Sequence, residues 1–139
     1  MKLTIPVPPK PQSRPRFDSR NKRAYEKRDM TYYKKTVSYY AMASKLKRIE
    51  KGPIMADICF YIYPPQYILR VRKNRNLLEK EVLHCDKKPD LDNFFKAVTD
   101  AVNGILYKDD GQIAAIVCRK VYSLNPRTEL EITELRDEK

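Results

Sequence analysis

Four aspartates bracket one amphipathic stretch, KPDLDNFFKAVTDAVNGILYKDD at residues 88–110. Asp90 and Asp92 open it and Asp109 and Asp110 close it, in a chain whose formal net charge is +11. Carboxylates are hard oxygen donors, the ligand type that suits Mg²⁺. Two acids at i and i+2 diverge inside a helix but can converge when the first lies in extended chain. Pro89 favours that arrangement, because it fixes its own φ and holds Lys88 extended ahead of Asp90. Backbone N–H groups at a helix start favour ionised carboxylates. Each pair also has a plainer explanation: Asp is a preferred helix N-cap, and Asp-Asp-Gly is a good turn sequence.

The element that must aim these acids is a helix running from Asp90 or Asp92 to Asn103 and closed by Gly104. At 100° per residue, Leu91, Phe94, Phe95, Val98, Ala101, Val102 and Ile105 fall on one face, the core face. Asp92, Lys96, Thr99 and Asn103 share the opposite face, so Asp92 and Lys96 are expected to look outward and both phenylalanines inward. Ile105–Leu106 reads as a strand or strand end, Tyr107–Gly111 as a turn, and Gln112–Tyr122 as a long strand. If that turn packs beside the helix, the second pair of acids can join the first.

Elsewhere, Lys2–Val7 alternates as a short first strand. Pro6, Pro8, Pro9, Pro11 and Pro15 then exclude a helix or central strand, which leaves a basic, proline-rich extended loop over residues 8–28. Asp29 is a possible N-cap for a helix to about Arg48, with Tyr33, Val37, Tyr40 and Ala41 on one face. Lys51-Gly52-Pro53 breaks that helix, and Ile54–Tyr63 is a β-rich central strand. Residues 66–83 read either as a helix with a basic outer half or as a loop followed by a helix. Glu129–Leu135 alternates as an exposed final strand. Strands and helices without strict βαβ alternation predict an α+β fold. One domain over residues 1–139 is expected, with a small mixed or antiparallel sheet of four to five strands and two to three helices.

Charge is unevenly placed. Residues 1–51 hold 15 Lys or Arg against 4 acids, whereas residues 52–139 hold 14 of each sign. An excess confined to the first third is the footprint of a polyanion-binding surface, with nucleic acid as the natural partner. Lys10, Arg14, Arg16, Arg20, Lys22 and Arg23 along the loop, and Arg70, Arg72, Lys73 and Arg75 further on, are the expected DNA-backbone contacts. No apolar run approaches the roughly 20 residues of a membrane span, and no signal peptide is evident. Three widely spaced cysteines then suggest reduced thiols in a cytoplasmic protein. His84–Cys85 lacks the partners of a tetrahedral zinc site. Acids within a DNA-binding chain have an evident use, because Mg²⁺ bridges carboxylates to a scissile phosphate. Lys96 could then stabilise the charge that develops at phosphorus.

These residues resemble the signature of the RusA-type Holliday junction resolvases, a bacterial and phage family of endodeoxyribonucleases. The family pattern is P-D-x-D-N, a lysine three residues later, a helix ending in N-G, then D-D-x-Q-[IV]. The segment KPDLDNFFKAVTDAVNGILYKDDGQI carries all of it, and IPVPPKPQSRPRF resembles the family's entry P-x-P-x-x-x-x-R-P-R. The resemblance implies a homodimer that uses Mg²⁺, with Mn²⁺ as a substitute, and no nucleotide cofactor. It implies paired symmetric nicks at four-way DNA junctions in recombination and repair. Asp90, Asp92, Asp110 and Lys96 stand at the catalytic positions, and Asp90, Asp92 and Asp110 with the adjacent Asp109 at the metal. Gly111 stands where Ser is common, which is expected to loosen the turn that holds Asp110. Two alternatives predict different behaviour: a non-cleaving basic DNA-binding protein, and a metal-dependent nuclease acting on other branched DNA.

Overall fold

The computed structural model describes residues 1–12, 16–18, 23–25 and 28–136 of the chain, with 16–18 and 23–25 as backbone only. The elements run β1 (Lys2–Ile5), β2 (Arg16–Asp18), β3 (Arg23–Tyr25), α1 (Arg28–Ala43), β4 (Ile54–Ile62), α2 (Gln66–Leu69), α3 (Asn74–Lys80), α4 (Leu91–Val102), β5 (Ile113–Tyr122) and β6 (Arg127–Glu134). A single 3₁₀ turn, Asp110–Gln112, leads into β5. Four strands form one mixed sheet in the order β1-β6-β4-β5, which is the expected α+β class. β6 is antiparallel to both β1 and β4, while β5 lies parallel to β4, with Ala114 as an extra residue between the Ile54–Ile113 and Met55–Ala115 pairs.

Why the core lies where it does follows from the strand periods. Ile54, Ala56, Ile58 and Phe60 of β4 alternate onto one sheet face, joined by Leu3 and Ile5 of β1 and by Leu130 and Ile132 of β6. Onto that face pack Met30, Tyr33, Val37 and Ala41 of α1 and Phe94, Ala97, Val98, Ala101 and Val102 of α4. Phe60 and Phe94 meet across this layer with ring centroids 5.4 Å apart. The helices are bound to each other as well: Ser38 Oγ donates to the Ala101 carbonyl at 2.8 Å, and Lys34 pairs with Asp100 at 3.6 Å. The opposite sheet face is polar, and there the Arg127 guanidinium stacks over Tyr61 and pairs with Glu81 at 2.7 Å.

Several boundaries differ from the sequence expectation. The first helix ends at Ala43 rather than near Arg48, because Lys45 takes a left-handed conformation (φ 56°). Ile49 then bridges to Tyr107, which a continuing helix would forbid. Residues 66–83 form two short helices, α2 and α3, with Glu81 left-handed at the second C-terminus. Ile105–Leu106 is not a strand: Gly104, at φ 81°, turns the chain and tucks Leu106 and Tyr107 fully into the core. The final strand is interior, not an exposed edge, with Thr128, Leu130 and Ile132 buried between neighbours on both sides. Inside the proline-rich region, β2 and β3 pair as a small antiparallel hairpin where extended loop was expected.

Candidate active site

Asp90 occupies the N-cap position of α4 in extended conformation (φ −66°, ψ 145°), yet its side chain makes no capping hydrogen bond. The cap position therefore places this carboxylate without engaging its oxygens. The chain reaches it through a cis Lys88–Pro89 peptide. Lys120, projecting from β5, donates its ammonium to the carbonyls of Lys87 and Pro89 and so ties this loop to the sheet. Asp92 lies exposed in the first turn of α4, and Lys96 is exposed one turn on. The Lys96 ammonium approaches Asp100 at 3.4 Å, and Asp100 also faces Lys34, so a cation–anion row extends down this side of the helix.

The face assignment holds for Asp92, Lys96 and Phe94 and needs two corrections. Thr99 is buried rather than outward, its hydroxyl donating to the Phe95 carbonyl at 3.0 Å under the cover of Tyr107. Phe95 is only half-buried at the rim of the core.

The second pair of acids divides its labour. Asp109 caps the 3₁₀ turn, accepting from Gly111 N–H at 2.9 Å, while the Gln112 side chain accepts from Asp109 N–H at 3.0 Å. Gln112 also donates to the Gly52 carbonyl at 3.1 Å, which fastens the turn to the start of β4. A Cβ at residue 111 would stand 2.8 Å from Asp109 Oδ2. Glycine here leaves room for the capping carboxylate of Asp109. Asp110 is free of the cap and instead accepts from the phenol of Tyr107 at 2.7 Å. That phenol is held above its ordinary pKa, first by burial and then by its bond to the Asp110 carboxylate. Tyr107, Asp100, Lys34 and Lys120 carried no motif, and only their contacts reveal them.

Within one chain the acids do not converge. Among the described residues, no three His, Cys, Asp or Glu side chains gather closely enough to hold one ion. The reason lies in the helix. Tyr107, which holds Asp110, also contacts the Thr99 carbonyl at 3.3 Å. Thr99 is seven residues beyond Asp92, about 10 Å along the axis. The carboxylates are the right donors for Mg²⁺, but a single chain separates Asp110 from Asp90 and Asp92.

Of the expected DNA contacts, Arg14, Arg20 and Lys22 lie outside the described residues. Arg16 and Arg23 sit on the two strands of the hairpin. Lys10 is paired with Asp29 at 3.0 Å. Arg70, Arg72, Lys73 and Arg75 are all exposed around α2 and α3, without an acidic partner among the described residues. One backbone bond places the basic loop near the acids: Gln12 N–H donates to the Asn93 carbonyl in the first turn of α4, at 3.0 Å. Cys85, beside His84, is buried against Leu78 and Tyr122 as a packing group.

The family model "Endodeoxyribonuclease RusA" matches residues 6–133. The chain is also 34% identical over 137 residues to "Uncharacterized protein YqaN" of Bacillus subtilis (strain 168), covering 97% of this chain and 96% of that protein. No helix among the described residues is long and apolar enough to cross a membrane. With its acids at both ends of α4 and its basic loop anchored beside them, the chain belongs to the RusA endodeoxyribonuclease family.

Proposed function

We propose that this protein is a Mg²⁺-dependent endonuclease that resolves four-way DNA junctions by paired symmetric nicks, leaving 5′-phosphate and 3′-hydroxyl ends, and that it works as a homodimer in the cytoplasm. The observation that carries the reading is the unengaged carboxylate of Asp90, set at a helix start within a chain of this family. Asp90, Asp92 and Asp110 would hold the ion, and Asp109 supports them by fixing the turn. When bound, Mg²⁺ would lower the pKa of a coordinated water and offset charge at the leaving oxygen.

The chain's own residues do the rest. Lys96, 63% exposed along its side chain, stands ready to neutralise charge developing on phosphorus. Asp100 keeps that ammonium on the Asp92 side of α4. The Tyr107 phenol orients Asp110, and Lys120 fixes the backbone that leads into Asp90. The loop leaving Gln12 and the exposed Arg70–Arg75 group grip the phosphate backbone.

Asp92→Asn is expected to abolish Mg²⁺-dependent nicking of a four-way junction while junction binding stays intact or tightens. Unchanged nicking would remove Asp92 from the site. Cleavage of three-way and linear DNA in the same assay separates a junction resolvase from a nuclease of broader choice.

A further inference from the structure

The chain leaves β1 as a strap, residues 7–12, that runs past the start of α1 to the start of α4. It is fastened at both helices. Lys10 pairs with Asp29 in the first turn of α1 at 3.0 Å, and Gln12 N–H donates to the Asn93 carbonyl in the first turn of α4. Between the strap and α1 lies a groove of about 660 Å³, within the range of roughly 300–1,000 Å³ typical of small-ligand sites. Val7, Pro8 and Pro9 line it on the strap side and Tyr32 on the helix side, over the buried ring of Tyr33. Lys10 and Arg28 bring cations to the same lining.

Tyr32 is 74% exposed, so its ring serves the groove and solvent rather than the core. Lys35, Tyr39 and Met42 follow at i+3, i+7 and i+10, on the same face of α1. Tyr39 and Met42 are 63% and 61% exposed. Aromatic rings interleaved with lysine are the composition of a surface that stacks bases while it holds phosphates. Both α1 and α4 cover one face of the sheet, so this stripe and the outward Asp92 and Lys96 look away from the sheet together.

We infer that the groove between the strap and α1 receives an unpaired DNA base, stacked on Tyr32, and that the strap sets this base close to the nuclease acids. Charge decides the class of occupant. The net positive charge of the chain lies wholly in residues 1–51, so a phosphate chain is what this face attracts. A phosphate by itself has no use for walls of proline and tyrosine, whereas a base offers them two π-faces. A base inside a continuous duplex stack cannot enter, so the groove takes one that has left the stack. At a branch point the stack is interrupted, which lowers the cost of freeing such a base. Two residues separate Lys10 at the groove from Gln12 at α4, at most about 7 Å of chain. Asn93, which Gln12 holds, directly follows Asp92, so the seated base lies within a few nucleotides of a phosphate at the acids. That proximity to cleavage rests on the nuclease reading above, whereas the base site rests on the groove.

Binding in EDTA tests the site without cleavage. The probes are a fully paired duplex and the same duplex with a short unpaired tract that contains 2-aminopurine. Wild type should bind the second more tightly, and 2-aminopurine emission should fall as that base stacks. Tyr32→Leu should lose about tenfold in affinity for the unpaired tract, the scale of one stacked base, with little change for the duplex. Tyr32→Phe, which keeps the ring, should recover the loss. Because Tyr32 is exposed, both variants should melt with the wild type. Unchanged affinity in Tyr32→Leu, or an equal loss on both DNAs, overturns the base site. A Tyr32→Leu chain that sediments as a smaller species than wild type would assign this face to a second copy and overturn it as well. A Tyr32-dependent preference for unpaired DNA beside no nicking in Mg²⁺ would instead leave the base site standing and remove the nuclease reading.

Discussion

Tyr107 shows how a fully buried side chain can serve a half-buried acid. Among the described residues its hydroxyl supplies the one side-chain hydrogen bond at Asp110, so Tyr107→Phe should free that carboxylate to rotate. The expected result is roughly a tenfold loss of nicking for about 1 kcal/mol of stability, the typical net value of one hydrogen bond. Denaturant melts and single-turnover nicking check the two parts separately. The same phenol gives a pH dependence. Its folded-state pKa lies above the unfolded value of about 10. Its contribution is therefore complete below about pH 10 and is lost as pH rises toward the folded value. Thermal stability of the wild type should fall above about pH 10, and Tyr107→Phe should show a shallower fall. Lys120 acts at one remove through the backbone. Lys120→Met is expected to lower kcat and raise the Mg²⁺ requirement with junction affinity retained, and Lys120→Arg should recover part of the loss.

At the scale of elements, α4 was readable from its residues alone, and the physical reason is its strict periodicity. Core positions recur at helical spacing between an Asp start and a Gly stop, so its limits shift by only a residue. Phe94 is 3% exposed against Phe60, and Phe94→Ala should cost about 3–5 kcal/mol in a denaturant melt. β6 was found in place but misread in context. Alternation tells which face of a strand is buried and says nothing about its lateral neighbours, so an interior strand looked like an exposed one. The parallel pairing of β4 with β5 joins residues some sixty positions apart and leaves no local trace. Tyr107 was missed for a related reason: the left-handed Gly104 turns the chain inward there, and a tyrosine in a turn resembles many surface tyrosines. The positions of the acids were legible because a helix start and a tight turn are both marked locally in the sequence. Their separation along α4 was not, because it depends on which end of the helix meets the turn.

For the whole molecule, the division of charge matters more than its sum. Gln12, within the basic first third, meets the first turn of α4 through its bond to Asn93, so on the proposed reading DNA drawn to that region would arrive beside the acids. Junction affinity should fall steeply with salt, as release of counterions requires. Replacing Arg70, Arg72, Lys73 and Arg75 together by Ala should weaken binding and reduce the steepness of that salt dependence. A filter-binding or fluorescence titration at several salt concentrations reads both effects, and an unchanged slope would remove the α2–α3 region from the interface.

The extra residue at Ala114 has a consequence for how this chain can vary in length. It shifts the phase of everything that follows in β5, so that Ile116, Cys118 and Lys120 point to the helix side and Val117 and Arg119 to the other. Deleting Ala114 would remove the bulge and restore simple alternation, with Ile113 opposite Ile54 and Ala115 opposite Met55, so Lys120 would keep its place beside the Asp90 loop. Losing a second residue before Lys120 would instead reverse the faces, turning Arg119 toward the core and Lys120 away from that loop. A chain with every aspartate intact can thus be one residue shorter between Gln112 and Lys120 and keep the frame in which the motif is read, but not two.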